Sequence, residues 1–240
     1  MKKNKPALLF VFALLLFHTS FCQEVISVEA RIGTGNTQFN YLGDFPELAV
    51  TSGSNLFLNV GVFISGKGIF TYGMELEYYK FGVNFTYLPL DPIRKTGGAL
   101  NDFWALGPKI QKDFKLFPNA GISLANAFHV SYNTQETYQF QGGELQIVRS
   151  SNGDPRIPVK IYGNRDIQEF SFFLKPELSL FYDLNENSRI MVSGKLGLDL
   201  REPSIVIDLD RIEFEGQTYQ NKYFYSGNYF SALLGYRYTF

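Results

Sequence analysis

From Ile26 to the C-terminus the chain repeats one pattern, apolar and polar residues taking turns one by one, in eight separate stretches. Ile26, Val28, Ala30 and Ile32 alternate with Ser27, Glu29 and Arg31, and Leu56 to Ile64 makes the next apolar row. Tyr72 to Tyr78, Trp104 to Ile110 and Ile122 to Val130 follow, the last with Asn126 as an exception. Phe170 to Tyr182, Ile190 to Leu198 and Phe230 to Phe240 complete the set. A period of two is the signature of a strand with one apolar face, and no segment sustains the 3.6-residue period of a helix. The chain is therefore expected to be all-β. No apolar run reaches the roughly 18 residues of a helical membrane span. A single cysteine excludes a disulfide scaffold, a zinc ribbon and an iron–sulfur site. A net charge of −1 speaks against nucleic acid as a partner.

The first 22 residues read as an address rather than as structure. Lys2, Lys3 and Lys5 precede an unbroken apolar run from Ala7 to Phe17, and Ser20 and Cys22 stand before a cut at Gln23. That is the order of a cleaved secretory signal. A lipoprotein signal acylated at Cys22 is the alternative, opposed by the bulky Phe21. Cleavage takes the formal charge from −1 to −4 by removing three lysines. Residues 23–240 are then expected to form one exported domain.

The links between stretches alternate in length. Gly33 to Ser54, Leu88 to Asn101, Asn133 to Ile167 and Arg201 to Gln220 are long, while Ser65 to Gly68, Asp113 to Pro118 and Asp183 to Ser188 are short. Long loops on one side and tight turns on the other predict a closed up-and-down antiparallel transmembrane β-barrel of eight strands. Within the longest link, Leu145, Ile147, Val159 and Ile161 around Asn152-Gly153 predict a small hairpin. After Tyr79 the apolar parity inverts to Phe81, Val83, Phe85 and Tyr87, which calls for a bulge near Lys80 or for strand extending above the bilayer.

The polar rows decide which face is inside. They are mostly Gly, Ser, Ala and Asn, with charges at Glu29, Arg31, Glu75, Glu77, Lys109, Lys175, Glu177, Lys195, Asp199 and Arg237. Five acids and five bases among small residues suit a cramped interior where each ion finds a partner. Placed on lipid instead, each basic side chain at midplane would cost about 2–4 kcal/mol. Chain-wide, 17% of residues are aromatic and only 19% charged, against a soluble norm of about 25% charged. The apolar rows thus point outward, to outer-membrane lipid. Eight strands leave a bore that side chains fill, so with ten charges plus Phe63 and Phe103 inside no continuous channel is expected.

Leu234, Tyr236, Tyr238 and a terminal Phe240 share one face of the last stretch. This resembles the assembly signal by which the outer-membrane insertion machinery takes up its clients. With the export signal and eight strands, the chain resembles the small outer-membrane β-barrel families of Gram-negative bacteria, the OmpA-like eight-stranded barrels and the PorT-like group tied to secretion. That resemblance implies a monomeric barrel in the cell outer membrane, without cofactor or bound metal, with envelope or secretion-system proteins as possible partners.

Chemistry-bearing residues are few. His129 and Ser131 stand two apart on one strand face, which resembles the His-x-Ser pair of the lipid A deacylases, with Glu136 or Glu144 as the orienting acid. Such an enzyme needs the pair on lipid, whereas their parity is that of Gly121, Ser123 and Ala127, inside. Asp208, Asp210, Glu213 and Glu215 crowd the last long link without the ligand spacing of a calcium loop, and read as solvated. The reading is a non-enzymatic structural, adhesion or secretion-accessory barrel working through its external loops. A lipid A hydrolase and a narrow solute channel are the alternatives.

Overall fold

A strand with one apolar and one polar face must cover the first and pair its backbone edges, and a ring of such strands does both by closing on itself. The computed structural model describes residues 25–52, 55–66, 69–87, 95–147, 157–201 and 203–240, and these form strands without a helix. The signal segment, the tip of the Ser65–Gly68 turn and Asn152-Gly153 lie outside the described residues. In chain order the strands are β1 (Val25–Gly43), β2 (Leu48–Ser52), β3 (Leu56–Ser65), β4 (Thr71–Tyr87), β5 (Lys95–Phe117) and β6 (Ala120–Asn133). Then come β7 (Tyr138–Ile147), β8 (Ile157–Ile167), β9 (Phe170–Asp183), β10 (Ser188–Asp199), β11 (Ile205–Phe214) and β12 (Gln217–Thr239).

Each of the eight alternating stretches lies on a stave of a closed antiparallel barrel ordered β1-β3-β4-β5-β6-β9-β10-β12. β12 returns to β1, with Glu29 opposite Arg237 and Ile32 opposite Leu234. The Phe240 amide donates to the Ile26 carbonyl at 2.9 Å, so both ends of the described chain meet at one rim. The tight links β5–β6 and β9–β10 turn at that rim as well.

Three links expected as loops are mostly strand. β1 runs on to Gly43 and is followed by β2, which pairs with the upper part of β4. The expected hairpin is β7–β8, with Leu145 opposite Val159. The acidic link is β11, joined to β12 by Glu215 and Gly216 at φ 46° and 79°, the two positive φ values of a type I′ turn. β12 is 23 residues long; its lower half pairs with β10 and its upper half with β11, which continues to β8 and β7. A second storey of sheet thus rises from the rim opposite the termini.

Of the two explanations for the inverted parity after Tyr79, the structure selects the extending strand. β3–β4 pairing is continuous from Ser65–Thr71 to Leu56–Lys80, and β4–β5 from Thr71–Gln111 to Phe85–Gly97, with no bulge at Lys80. Gly73, Glu75, Glu77, Tyr79, Phe81, Val83 and Phe85 all face inward. The side does not change; the filling of the bore does, from ions to rings.

The outer face is an apolar belt. Val60, Val62, Leu76, Leu106, Leu178, Val192 and Leu234 are exposed, many of them by half or more. Tyr78, Trp104, Tyr132 and Phe170 ring it on the platform side, and Tyr72, Tyr182, Tyr236, Tyr238 and Phe240 on the terminus side. A contiguous apolar surface far beyond a few hundred Å² is not stable in water, and apolar band plus aromatic girdles is the surface of a membrane barrel. Inside, a phenylalanine fits because two neighbours lack side chains. A Cβ on Gly61 or Gly73 would lie 2.5 and 2.3 Å from the Phe63 ring.

Candidate functional site: a filled bore beneath an outer platform

Period two places Glu29 and Arg31 on β1, Glu75 and Glu77 on β4, Lys109 on β5, Lys175 and Glu177 on β9, Lys195 on β10 and Arg237 on β12, all pointing inward and buried. The structure brings these nine into one ionic layer. Glu75 accepts from Lys195 at 2.5 Å and Lys109 at 3.0 Å. Glu77 accepts from Lys175 at 2.6 Å and Lys195 at 2.9 Å. Glu177 takes Lys109 at 2.9 Å and also pairs with Arg31. Glu29 pairs with Arg31 and with Arg237 at 2.6 Å. Neutral donors complete the carboxylates: Asn59 donates to both Glu75 and Glu77, and the Tyr229 hydroxyl donates to Glu77 at 2.5 Å. Desolvated ions hold only under such multiple satisfaction.

Asp199 is the exception among the ten charges. It is buried near the top of β10, but its partners are the Ser204 hydroxyl and the Arg201 amide rather than a cation. It closes the link to β11 instead of joining the ionic layer.

Above the ions lies an aromatic layer that alternation did not announce. Tyr79 stacks on Phe57 and Phe103 with ring centroids 5.5 and 4.7 Å apart, and Tyr229, Phe173, Phe81 and Tyr225 pack around them. The Lys175 ammonium joins the two layers, 5.1–5.5 Å from the centroids of Phe173, Tyr79 and Tyr229, within cation–π range. Below the ions a polar vestibule of about 400 Å³ opens at the terminus rim, lined in part by Asp113, Asp183, Arg189 and Arg237.

His129 and Ser131 both point into the bore and are fully buried. They do not bond each other. Ser131 shares a 3.2 Å hydrogen bond with Tyr79, and His129 Nε2 lies 3.7 Å from Glu75. Glu136 is solvent-exposed on the β6–β7 link, and the Glu144 side chain lies outside the described residues. The pair therefore does not face lipid, and the exposed Glu136 is not its partner. Glu75, Glu77 and His129 are close enough together to share an ion, but the Lys195 ammonium already bridges the two carboxylates. On β11, Asp208 pairs with Lys222 at 2.6 Å and Glu213 with Arg211 at 3.5 Å, so the acids are spread along a strand. Leu234, Tyr236 and Tyr238 lie on the outer face of β12, and Phe240, just past its end, is exposed as well.

The core of the platform, Ile205, Ile207, Leu209 and Ile212 of β11 with Val159 and Ile161 of β8, runs through Leu48, Val83 and Phe85 into the aromatic layer below. The Tyr223 hydroxyl donates to the Leu48 carbonyl at 2.5 Å and ties β12 to β2. Tyr41 and Tyr138 are exposed on it, and β7 ends the sheet.

No family model and no curated protein matches the sequence. Among solved structures the chain is similar to the outer membrane protein OprG from Pseudomonas aeruginosa, at 13% identity and a TM-score of 0.54, over 90% of this chain and 95% of that one. The translocator domain of the autotransporter NalP from Neisseria meningitidis matches at 11% identity and a TM-score of 0.33, over 98% and 95%. The outer membrane protease OmpT from Escherichia coli matches at 9% and 0.37, over 90% and 96%. The likeness to OprG is one of fold: the chain is a closed eight-stranded barrel of the outer-membrane type.

Proposed function

We propose that the chain is an integral outer-membrane barrel that works by binding another envelope protein, as a structural, adhesion or secretion-accessory component. The observation that carries this reading is the bore, occupied by an ionic layer and an aromatic layer, beneath a folded platform. Connections already ordered as sheet lose less freedom on docking than loops would. The exposed Tyr41 and Tyr138, and β7, which ends the sheet among the described residues, are the groups such a partner would engage.

The deciding experiment is affinity capture from detergent-solubilised envelopes by the full-length barrel and by Tyr41→Ala/Tyr138→Ala. A specific partner held by the first and lost by the second is the expected result; equal capture by both removes the platform from the reading. The alternatives have their own readouts. Planar bilayers should show no steady open events, which a solute channel would give. Lipid A from cells carrying Ser131→Ala should have the wild-type mass profile, because the hydroxyl is sealed inside the wall. Loss of a deacylated species would instead make Ser131 a nucleophile.

A further inference from the structure

Lys112 of β5 is out of keeping with its surroundings. It follows Leu106, Pro108 and Ile110 on the outward row and sits opposite Leu124, also outward, so its ammonium emerges from the apolar belt. By contrast Lys80, on the outer face of the same seam, pairs with Asp102 at 3.6 Å. Lys112 has no carboxylate within ion-pair distance among the described residues. Two rings lie within cation–π range of it, the Phe114 centroid at 5.0 Å and the Phe70 centroid at 5.7 Å.

Its height explains what it can reach. Asp102 and Lys112 are ten residues apart on β5, which at about 3.4 Å per residue and a tilt of roughly 35–45° is about 24–28 Å of vertical distance. The apolar band of a membrane barrel is about 25 Å tall. Lys80, Asp102, Tyr78 and Trp104 therefore mark one headgroup level, and Lys112 stands at the other, on the terminus side. An ammonium there can extend its stem along the belt and place its charge at the interface.

We infer that Lys112, with Phe70 and Phe114, forms a seat for the phosphate of a phospholipid in the leaflet on the terminus side. The ammonium takes the phosphate oxygens and the two rings flank the first acyl carbons. Phospholipid supplies the counter-charge that the described residues withhold. The inference rests on the belt being the bilayer face.

The test uses the full-length barrel and Lys112→Met, which keeps the stem length and suits an apolar surface. Both are reconstituted in phosphatidylglycerol vesicles, extracted into detergent and weighed intact by native mass spectrometry. Wild type should retain one phospholipid per barrel, and Lys112→Met about five-fold less, the factor of one lysine near an anionic lipid surface. A diglucosyl diacylglycerol, which lacks phosphate, should be retained by neither. Equal phospholipid retention by the two proteins, no retention by wild type, or equal retention of the sugar lipid overturns the seat. Quenching of Trp104 by brominated lipid is read in the same samples. Absent quenching overturns the membrane reading itself; quenching with unchanged retention overturns only the seat.

Discussion

Glu77→Ala is expected to cost about 3–5 kcal/mol of stability, the penalty for leaving buried ions without their counter-charge. Glu77 is completely buried and receives Lys175, Lys195, Asn59 and Tyr229 at once. Its loss strands Lys175, whose only carboxylate partner among the described residues it is. Lys195 is hurt less, because Glu75 at 2.5 Å and Glu177 at 3.7 Å remain. The double variant Glu77→Ala/Lys175→Met should therefore recover much of the loss, whereas Glu77→Ala/Lys195→Met should recover less. Urea midpoints in lipid vesicles, followed by Trp104 fluorescence, measure all of these. Equal stability of Glu77→Ala and wild type would mean that the bore is wet enough to solvate the lysines, and the ionic layer would lose its structural role.

Tyr79→Ala should be nearly as costly, about 3–5 kcal/mol, the range for truncating a large core aromatic to alanine. The ring is the centre of the upper layer, stacked at interplanar angles of 7° on Phe57 and 2° on Phe103. It also supplies one wall of the Lys175 site. The variant separates two contributions to closure. The ions lie below the vacated space and stay paired, so planar bilayers containing Tyr79→Ala should remain silent. Steady conductance from this single change would show that the aromatic layer alone seals the barrel.

What could be read from the residues, and what could not, divides at the top of the ionic layer. On the staves the apolar row faces out, so Leu76 against Glu75 and Glu77, or Leu178 against Glu177, announces both the strand and its orientation. On β11 the same alternation carries the opposite meaning: Ile205, Ile207 and Leu209 face in, because above the belt the outside is water. Pattern alone cannot distinguish the two, and the crowded acids on the wet face gave β11 the look of a loop. Tyr79 to Phe85 is the same case within one strand, where constant parity with changing content looked like a break in register. The aromatic layer was hidden for another reason. Between Tyr223 and Phe230 the chain carries rings on both faces, Tyr225 and Tyr229 inward, Phe224 and Phe230 outward, so no alternation remains to be read. His129 and Ser131 were assigned to the inner side, but Glu75 as the histidine's neighbour comes from a strand over fifty residues earlier, and spacing holds no trace of it.

The ionic layer draws its members from six staves, and its pair between β1 and β12, Glu29 with Arg237, joins residues 208 positions apart. While the ribbon is open, ions whose partners sit on distant staves, Arg237 without Glu29 among them, are orphans that hydrocarbon will not accept. Entry of one hairpin after another would drag each orphan through oil. Zipping and immersion thus have to coincide, so that the last of these ions are paired as the two ends meet.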